Sequence, residues 1–308
     1  MASHGSSSKD TMKSAAAGEP LFAGLDGGGT GCRARLVDAS GQVLAEAGGG
    51  PANLYQQGTA ALRSVEQCIQ QLLQNAGLEP SAQARLHAGL GMAGAELPSS
   101  QRLLADWNPP WASVEVVNDA HIACLGAHEG GDGGLVIIGT GIVAWAIQGG
   151  QGRILDGWGF PLADRGSGAW LGQRALQQAL RASDGILDHS PLTRALLQAY
   201  DGTPRAITEW AATATSGDYA GHAREVVAHA EAGDPVATAL LKEQADEVSV
   251  LIERLCDLQA TPVALLGGLA STVQARLPAR LAQWLSPARR DAISGALYLI
   301  KRTTRSND

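Results

Sequence analysis

Two glycine turns about 110 residues apart constrain this chain most. Leu25-Asp26-Gly27-Gly28-Gly29-Thr30-Gly31 follows one short apolar run, and Val136-Ile137-Ile138-Gly139-Thr140-Gly141 closes another. Each joins a buried-looking strand to a Gly/Thr turn, after which the chain continues as strand. Two such hairpins facing each other across a cleft can grip a nucleoside triphosphate from both sides. The pair therefore points to a split, two-domain phosphotransferase. A single turn of this kind is an ordinary hairpin, so the repetition in matching contexts carries the reading.

The residues after the first turn exclude nearer alternatives. Gly29-Thr30-Gly31-Cys32-Arg33-Ala34 fits a dinucleotide fingerprint, which requires a helix immediately after it. The chain instead continues through Cys32–Asp38 with partial two-residue alternation, then the turn cluster 39–42, then Val43–Ala47. That is a β-hairpin, and its tip offers backbone N–H groups to phosphate. No Gly-Lys-Ser/Thr occurs anywhere, so a Walker-type loop is excluded.

The 308 residues suffice for two domains with real cores. A net charge of −7 argues against nucleic acid as partner. No apolar run reaches transmembrane length, so no membrane partner is expected. Cys32, Cys68, Cys124 and Cys256 are scattered without metal spacing and read as reduced thiols of a cytoplasmic protein. Residues 1–19 are rich in Ser, Ala and Gly and read as a disordered leader or expression remnant.

Patterning predicts strands over Leu21–Asp26, Cys32–Asp38, Val43–Ala47, Ala84–Leu90 and Val114–Val117, with a helix over Thr59–Asn75. The resulting βββαβαβ order is half of an actin/hexokinase-type nucleotide fold. The second half repeats the plan in element order. Its strands fall at Leu135–Ile138, Val143–Ile147, Arg153–Leu155 and Pro262–Leu266. Its helices fall near Ala169–Ala182, Pro191–Tyr200, Ala206–Ala214, Ala220–Gly233 and Pro235–Leu258, with a last helix near Ser294–Thr303. The fold class is α/β, with two ribonuclease H-like domains flanking a nucleotide cleft. The N-terminal domain takes residues 20–118 plus 294–308, and the C-terminal domain 119–293.

Candidate chemistry sits at the strand ends. Asp26 suits Mg²⁺, which binds phosphate oxygens and waters with one or two carboxylates; the plain alternative is a turn-forming Asp. Asp119 is either a helix N-cap or a general base for a sugar hydroxyl attacking a γ-phosphorus, and one residue can serve both. The block from Gly157 to Gly172 is dense in Gly and aromatics. There Asp164 or Ser167 either caps the next helix or meets sugar hydroxyls beside a Trp. Asn53 either makes an Asx turn or reaches a sugar hydroxyl.

Together, Leu-Asp-Gly-Gly-Gly-Thr at 25–30, Gly-Leu-Gly-Met-Ala-Gly at 89–94, Asn-Asp-Ala at 118–120, Gly-Thr-Gly at 139–141, the 157–168 block and Leu-Leu-Gly-Gly at 265–268 form an ordered set. In these the chain resembles the BadF/BadG/BcrA/BcrD-type ATPases, within them the N-acetylglucosamine and glucosamine kinases, over residues 21–303. The resemblance implies that Gly27, Gly28, Gly29 and Thr30, with Gly139, Thr140 and Gly141, hold the phosphates of ATP. Gly267 and Gly268 would pass under the adenosine. Asp119 matches the catalytic base and, with Asn53, Trp158, Gly159 and Asp164, the sugar pocket. The resemblance also implies a cytoplasmic homodimer.

The function expected from this is an ATP- and Mg²⁺-dependent kinase acting on the C6 hydroxyl of N-acetylglucosamine or glucosamine. The alternatives are an N-acetylmuramic acid kinase, a non-catalytic sugar sensor, and an ATPase activator of a 2-hydroxyacyl-CoA dehydratase. The activator requires cluster cysteines, and their spacing is missing here.

Overall fold

The computed structural model describes residues 18–306, so nearly all of the expected 1–19 leader lies outside the described residues. The strands are β1 Leu21–Gly27, β2 Cys32–Val37, β3 Val43–Gly49, β4 Leu86–Met92, β5 Ser113–Val117, β6 Gly133–Ile138, β7 Ile142–Gln148, β8 Gln151–Asp156 and β9 Val263–Leu266. The helices are α1 Leu54–Gln57, α2 Thr59–Asn75, α3 Pro98–Ala105, α4 Asp119–Ala127, α5 Gly168–Ser183, α6 Pro191–Ala199, α7 Pro204–Ala211, α8 Ser216–Gly221, α9 Ala223–Glu231, α10 Pro235–Asp257, α11 Ala270–Gln274 and α12 Ala292–Ser306.

The first sheet runs β3-β2-β1-β4-β5 and the second β8-β7-β6-β9. In both, a three-strand antiparallel meander is extended by a parallel strand: β4 beside β1 and β9 beside β6. The repeat read from element order therefore holds over four strands, and the first sheet adds β5. The mixed α/β class is as expected from the sequence.

The elements obey their patterning. β1 is buried on both faces between helices, so it is apolar almost throughout. On α2, Leu62, Val65, Ile69, Leu72 and Leu73 form one buried stripe against the first sheet. Cys32 and Cys68, 36 residues apart in sequence, meet in that core, and the Cys68 thiol hydrogen bond lowers the Cys32 pKa. The chain's last helix returns to the first sheet. A Cβ on Gly89 of β4 would stand 2.2 Å from the Ala296 carbonyl, and one on Gly295 would stand 1.8 Å from the Ile122 carbonyl. α12 is thus held between β4 and α4 at backbone contact.

One predicted helix is split, and the short α1 and α11 are additional to the expected elements. The segment predicted over Ala220–Gly233 is two helices, α8 and α9, joined at His222. A capping box between Thr215 and Asp218 starts α8 earlier than the apolar pattern does. Its Tyr219 carbonyl then lies against Gly172 of α5, which fixes its direction.

Candidate active site

The first hairpin closes with the Gly28 N–H donating to the Gly31 carbonyl at 2.9 Å, leaving Gly29 and Thr30 exposed at the tip. The second closes alike, Gly139 N–H to Gly141 carbonyl at 2.9 Å, with Thr140 exposed. Each sheet thus carries a tight Gly/Thr hairpin turn, the second one residue shorter than the first, and the exposed amides suit an anionic ligand.

Around the first hairpin the structure gathers Asp26, Asn53 and Asp119. The segment before α1 is pinned there: the Ala52 N–H donates to the Gly28 carbonyl at 2.9 Å and the Ala93 N–H to the Gly27 carbonyl at 3.0 Å. Asn53 is the N-cap of α1, its Oδ1 accepting the Gln56 N–H at 3.0 Å. The side chain thus caps a helix three residues on rather than closing an Asx turn, and the amide nitrogen of Asn53 takes no part in the cap. Asp26 is the next-to-last residue of β1 and pairs with Arg33 across the β1–β2 ladder, Oδ2 to Nη2 3.0 Å. A single carboxylate beside exposed turn amides is a donor set that would suit Mg²⁺ completed by ligand oxygens and water.

Asp119 comes after β5 as the first residue of α4. The cap of that helix is Asn118, whose Oδ1 accepts the Ala120 N–H at 2.8 Å. The expectation that Asp119 itself caps is corrected in this way: it touches the same N–H at 2.9 Å, but Asn118 holds the cap position. Burial pushes the Asp119 carboxyl up to about 6, opposed by the Ala120 amide and reinforced by the charge of Asp26. Nearby, Asn118 donates from Nδ2 to Glu96 Oε2 at 3.3 Å. Glu96 is exposed as a residue, yet the burial of its carboxyl end and the Asp119 charge raise its pKa to about 7.

Around the second hairpin lie the other predicted residues. The Gly168 N–H donates to the Gly139 carbonyl at 2.8 Å and the Ala169 N–H to the Thr140 carbonyl at 3.0 Å, so the start of α5 braces the turn. Gly267 has φ of 96°, a region open to glycine, and its Cα side faces the Ile138 carbonyl, where a Cβ would stand 2.3 Å away. The exposed Gly267-Gly268 pair therefore sits directly beside the second turn. Asp164 is buried at 6% exposure. Burial raises its pKa, and the backbone N–H groups of Gly159, Ile142 and Phe160 oppose that rise. It ties the 157–164 loop to the second hairpin. Ser167, not Asp164, caps α5, accepting the Trp170 N–H at 3.1 Å. Trp158 is 72% exposed. Arg165 pairs with Glu247 on α10, Nε to Oε2 2.9 Å.

Two residues escaped sequence reading. Arg33 sits opposite Asp26 by strand register, a signal available once the β1–β2 hairpin is assigned. Glu96 lies in a loop after β4, and no local pattern announces it.

A paired-sheet α/β fold with two glycine hairpins, each at the tip of its own sheet, is the layout of a nucleotide-handling ATPase class. The chain belongs to the BadF/BadG/BcrA/BcrD ATPase family, whose description matches residues 23–291. It is similar to the glucosamine kinase of Vibrio cholerae serotype O1, 37% identical over 90% of this chain and 94% of that protein. Among solved structures it is similar to a Chromobacterium violaceum protein assigned as an N-acetylglucosamine kinase, with 36% identity, 92% and 99% coverage and a TM-score of 0.80. A ROK family glucokinase from Streptomyces griseus shares the fold at 18% identity, 92% and 99% coverage and a TM-score of 0.50.

Proposed function

We propose that this chain is an ATP-dependent amino-sugar kinase that phosphorylates the C6 hydroxyl of glucosamine or N-acetylglucosamine. The observation that carries the reading is Asp119. It opens α4 just past β5, near Asp26 and the first hairpin, with its neighbour Asn118 capping the helix. A carboxylate with a pKa near 6 is ionised at neutral pH and basic enough to accept a proton. In this reading Asp119 takes the C6 hydroxyl proton as that oxygen attacks the γ-phosphorus, the bond to the β-phosphate oxygen breaks, and ADP leaves. Likeness to the Vibrio cholerae glucosamine kinase supports the substrate class.

The remaining assignments are part of the same proposal. Gly27–Thr30 and Gly139–Gly141 hold phosphates, Gly267 and Gly268 underlie the adenosine, and Asn53, Trp158, Gly159 and Asp164 shape the sugar pocket. Asp26 would hold Mg²⁺, which when bound neutralises phosphate charge. Residues 20–118 with the described part of 294–308 form one lobe and 119–293 the other. The protein works in the cytoplasm as a homodimer.

The test is ADP release with MgATP against glucosamine, N-acetylglucosamine, N-acetylmuramic acid, glucose and no sugar. An amino sugar is expected to lead. Glucose ahead of both amino sugars, or full turnover without sugar, overturns the proposal.

A further inference from the structure

Glu96 belongs to no motif; its side chain accepts a hydrogen bond from Asn118 and lies within reach of the Asp119 charge. The Asn118 side chain faces two ways: Nδ2 donates to Glu96 Oε2 at 3.3 Å, and Oδ1 accepts the Ala120 N–H at 2.8 Å. An amide fixed at its nitrogen end has its oxygen end fixed too, because a flip would set Nδ2 against the Ala120 N–H and oxygen against carboxylate.

The Ala120 N–H is the contested group. Asp119 Oδ1 lies 2.9 Å from it, nearly as close as Asn118 Oδ1. A helix N-terminus needs an acceptor for its first free N–H groups. With Asn118 in place, Asp119 can give up that contact and turn its carboxylate to a substrate hydroxyl. With Asn118 turned away, Asp119 becomes the sole side-chain acceptor, and leaving to act as a base would strip the helix of its cap.

We infer that Glu96 is a positioning residue for Asp119: by holding the Asn118 amide in the capping orientation, it leaves the Asp119 carboxylate free to accept the sugar proton. The inference rests on the proposed role of Asp119 as base. Glu96 itself contacts neither sugar nor nucleotide in this scheme, and its place at the exposed rim means that changing it leaves the core intact.

The experiment is steady-state kinetics on the full chain with MgATP and its best amino sugar, for wild type, Glu96→Ala, Glu96→Gln, Asn118→Ala and the Glu96→Ala/Asn118→Ala double variant, with thermal unfolding as a control. Misplacing a catalytic group by a fraction of an ångström to 1 Å costs up to about 100-fold in rate. Glu96→Ala should therefore lose about 10- to 100-fold in kcat with both KM values within about twofold. Glu96→Gln keeps an oxygen acceptor for Asn118 and should recover kcat to within about threefold of wild type. The double variant should be no slower than Asn118→Ala, since both act through one amide. Wild-type kcat in Glu96→Ala overturns the inference. So does a rise in sugar KM at constant kcat, a Glu96→Gln loss as deep as that of Glu96→Ala, or losses that multiply in the double variant. If Asn118→Ala fails to fold, the Ala–Gln contrast at Glu96 still decides. Wild type inactive on every sugar would instead sink the proposed function, which keeps the two failures apart.

Discussion

Gly141 lies against the carboxylate of Asp164: a methyl on Gly141 would stand 2.8 Å from Asp164 Oδ2. That contact couples the second glycine hairpin to the loop carrying Trp158 and Gly159. The Asp164 carboxylate cannot easily step aside, because the N–H groups of Gly159, Ile142 and Phe160 hold it. Gly141→Ala should push the loop outward, raising sugar KM about 3- to 10-fold and costing about 1 kcal/mol of stability. Unchanged KM and melting temperature would show that the contact does not couple the two segments.

Asp119→Asn keeps size and removes the proton acceptor. Turnover should fall about 10²- to 10⁴-fold while ATP-analogue affinity holds. Retention of more than about a tenth of wild-type kcat would remove Asp119 from the role of base.

The raised Asp119 pKa sets two pH dependences with opposite signs. Catalysis needs the ionised form, so kcat/KM of the free enzyme should fall as pH drops below about 6. Stability runs the other way. The folded carboxyl titrates near 6 and the unfolded one near 3.8, so the folded state holds the extra proton between them. This group's contribution therefore declines as pH rises from about 4 to about 6 and stays low above that window. Asp119→Asn should be more stable than wild type at pH 7 by about 1–2 kcal/mol, after allowance for partial solvent access, and the gap should close near pH 4. Chemical denaturation at pH 4 and 7 checks this, and an equal gap at both would contradict it.

Gly295→Ala should be among the most destabilising single methyl additions in this chain. The new Cβ would stand 1.8 Å from the Ile122 carbonyl and 2.6 Å from the Gly126 N, both backbone, so α12 and α4 must separate. A cost of about 2–4 kcal/mol is expected. A melting temperature within a degree or two of wild type would mean that the helices slide without loss.

Sugar binding with a non-hydrolysable ATP analogue should alter the emission of Trp158, which is 72% exposed in the free protein. Closure would bring the loop at 157–164 onto substrate and exclude water, suppressing sugar-free ATP hydrolysis. Trp158→Phe should abolish most of the fluorescence change. A signal that survives this substitution, with no compaction in solution scattering, would count against closure.

The strands were legible because their side-chain alternation and apolar runs are local signals, and α2 matched its predicted bounds because its stripe and terminal Gly77 are local too. The break at His222 was not, since it depends on Tyr219 meeting Gly172 from another helix. The turns at Gly28 and Gly139 could be read directly, as their hydrogen bonds close within four residues.

What the sequence determined by itself is the pair of hairpins, the strand-end carboxylates Asp26 and Asp119, and the order of elements, all set by short-range periodicity and turn chemistry. What only the tertiary structure decided is which polar group each side chain serves. Asn118 rather than Asp119 takes the cap of α4. Arg165 goes to Glu247 on α10. Glu96 reaches Asn118 across 22 residues of chain. Most of these partners are distant in sequence, and at α4 two adjacent acceptors compete for one N–H. A hydrogen bond or ion pair acts over about 3 Å, so its partner is fixed only when packing has set the distances.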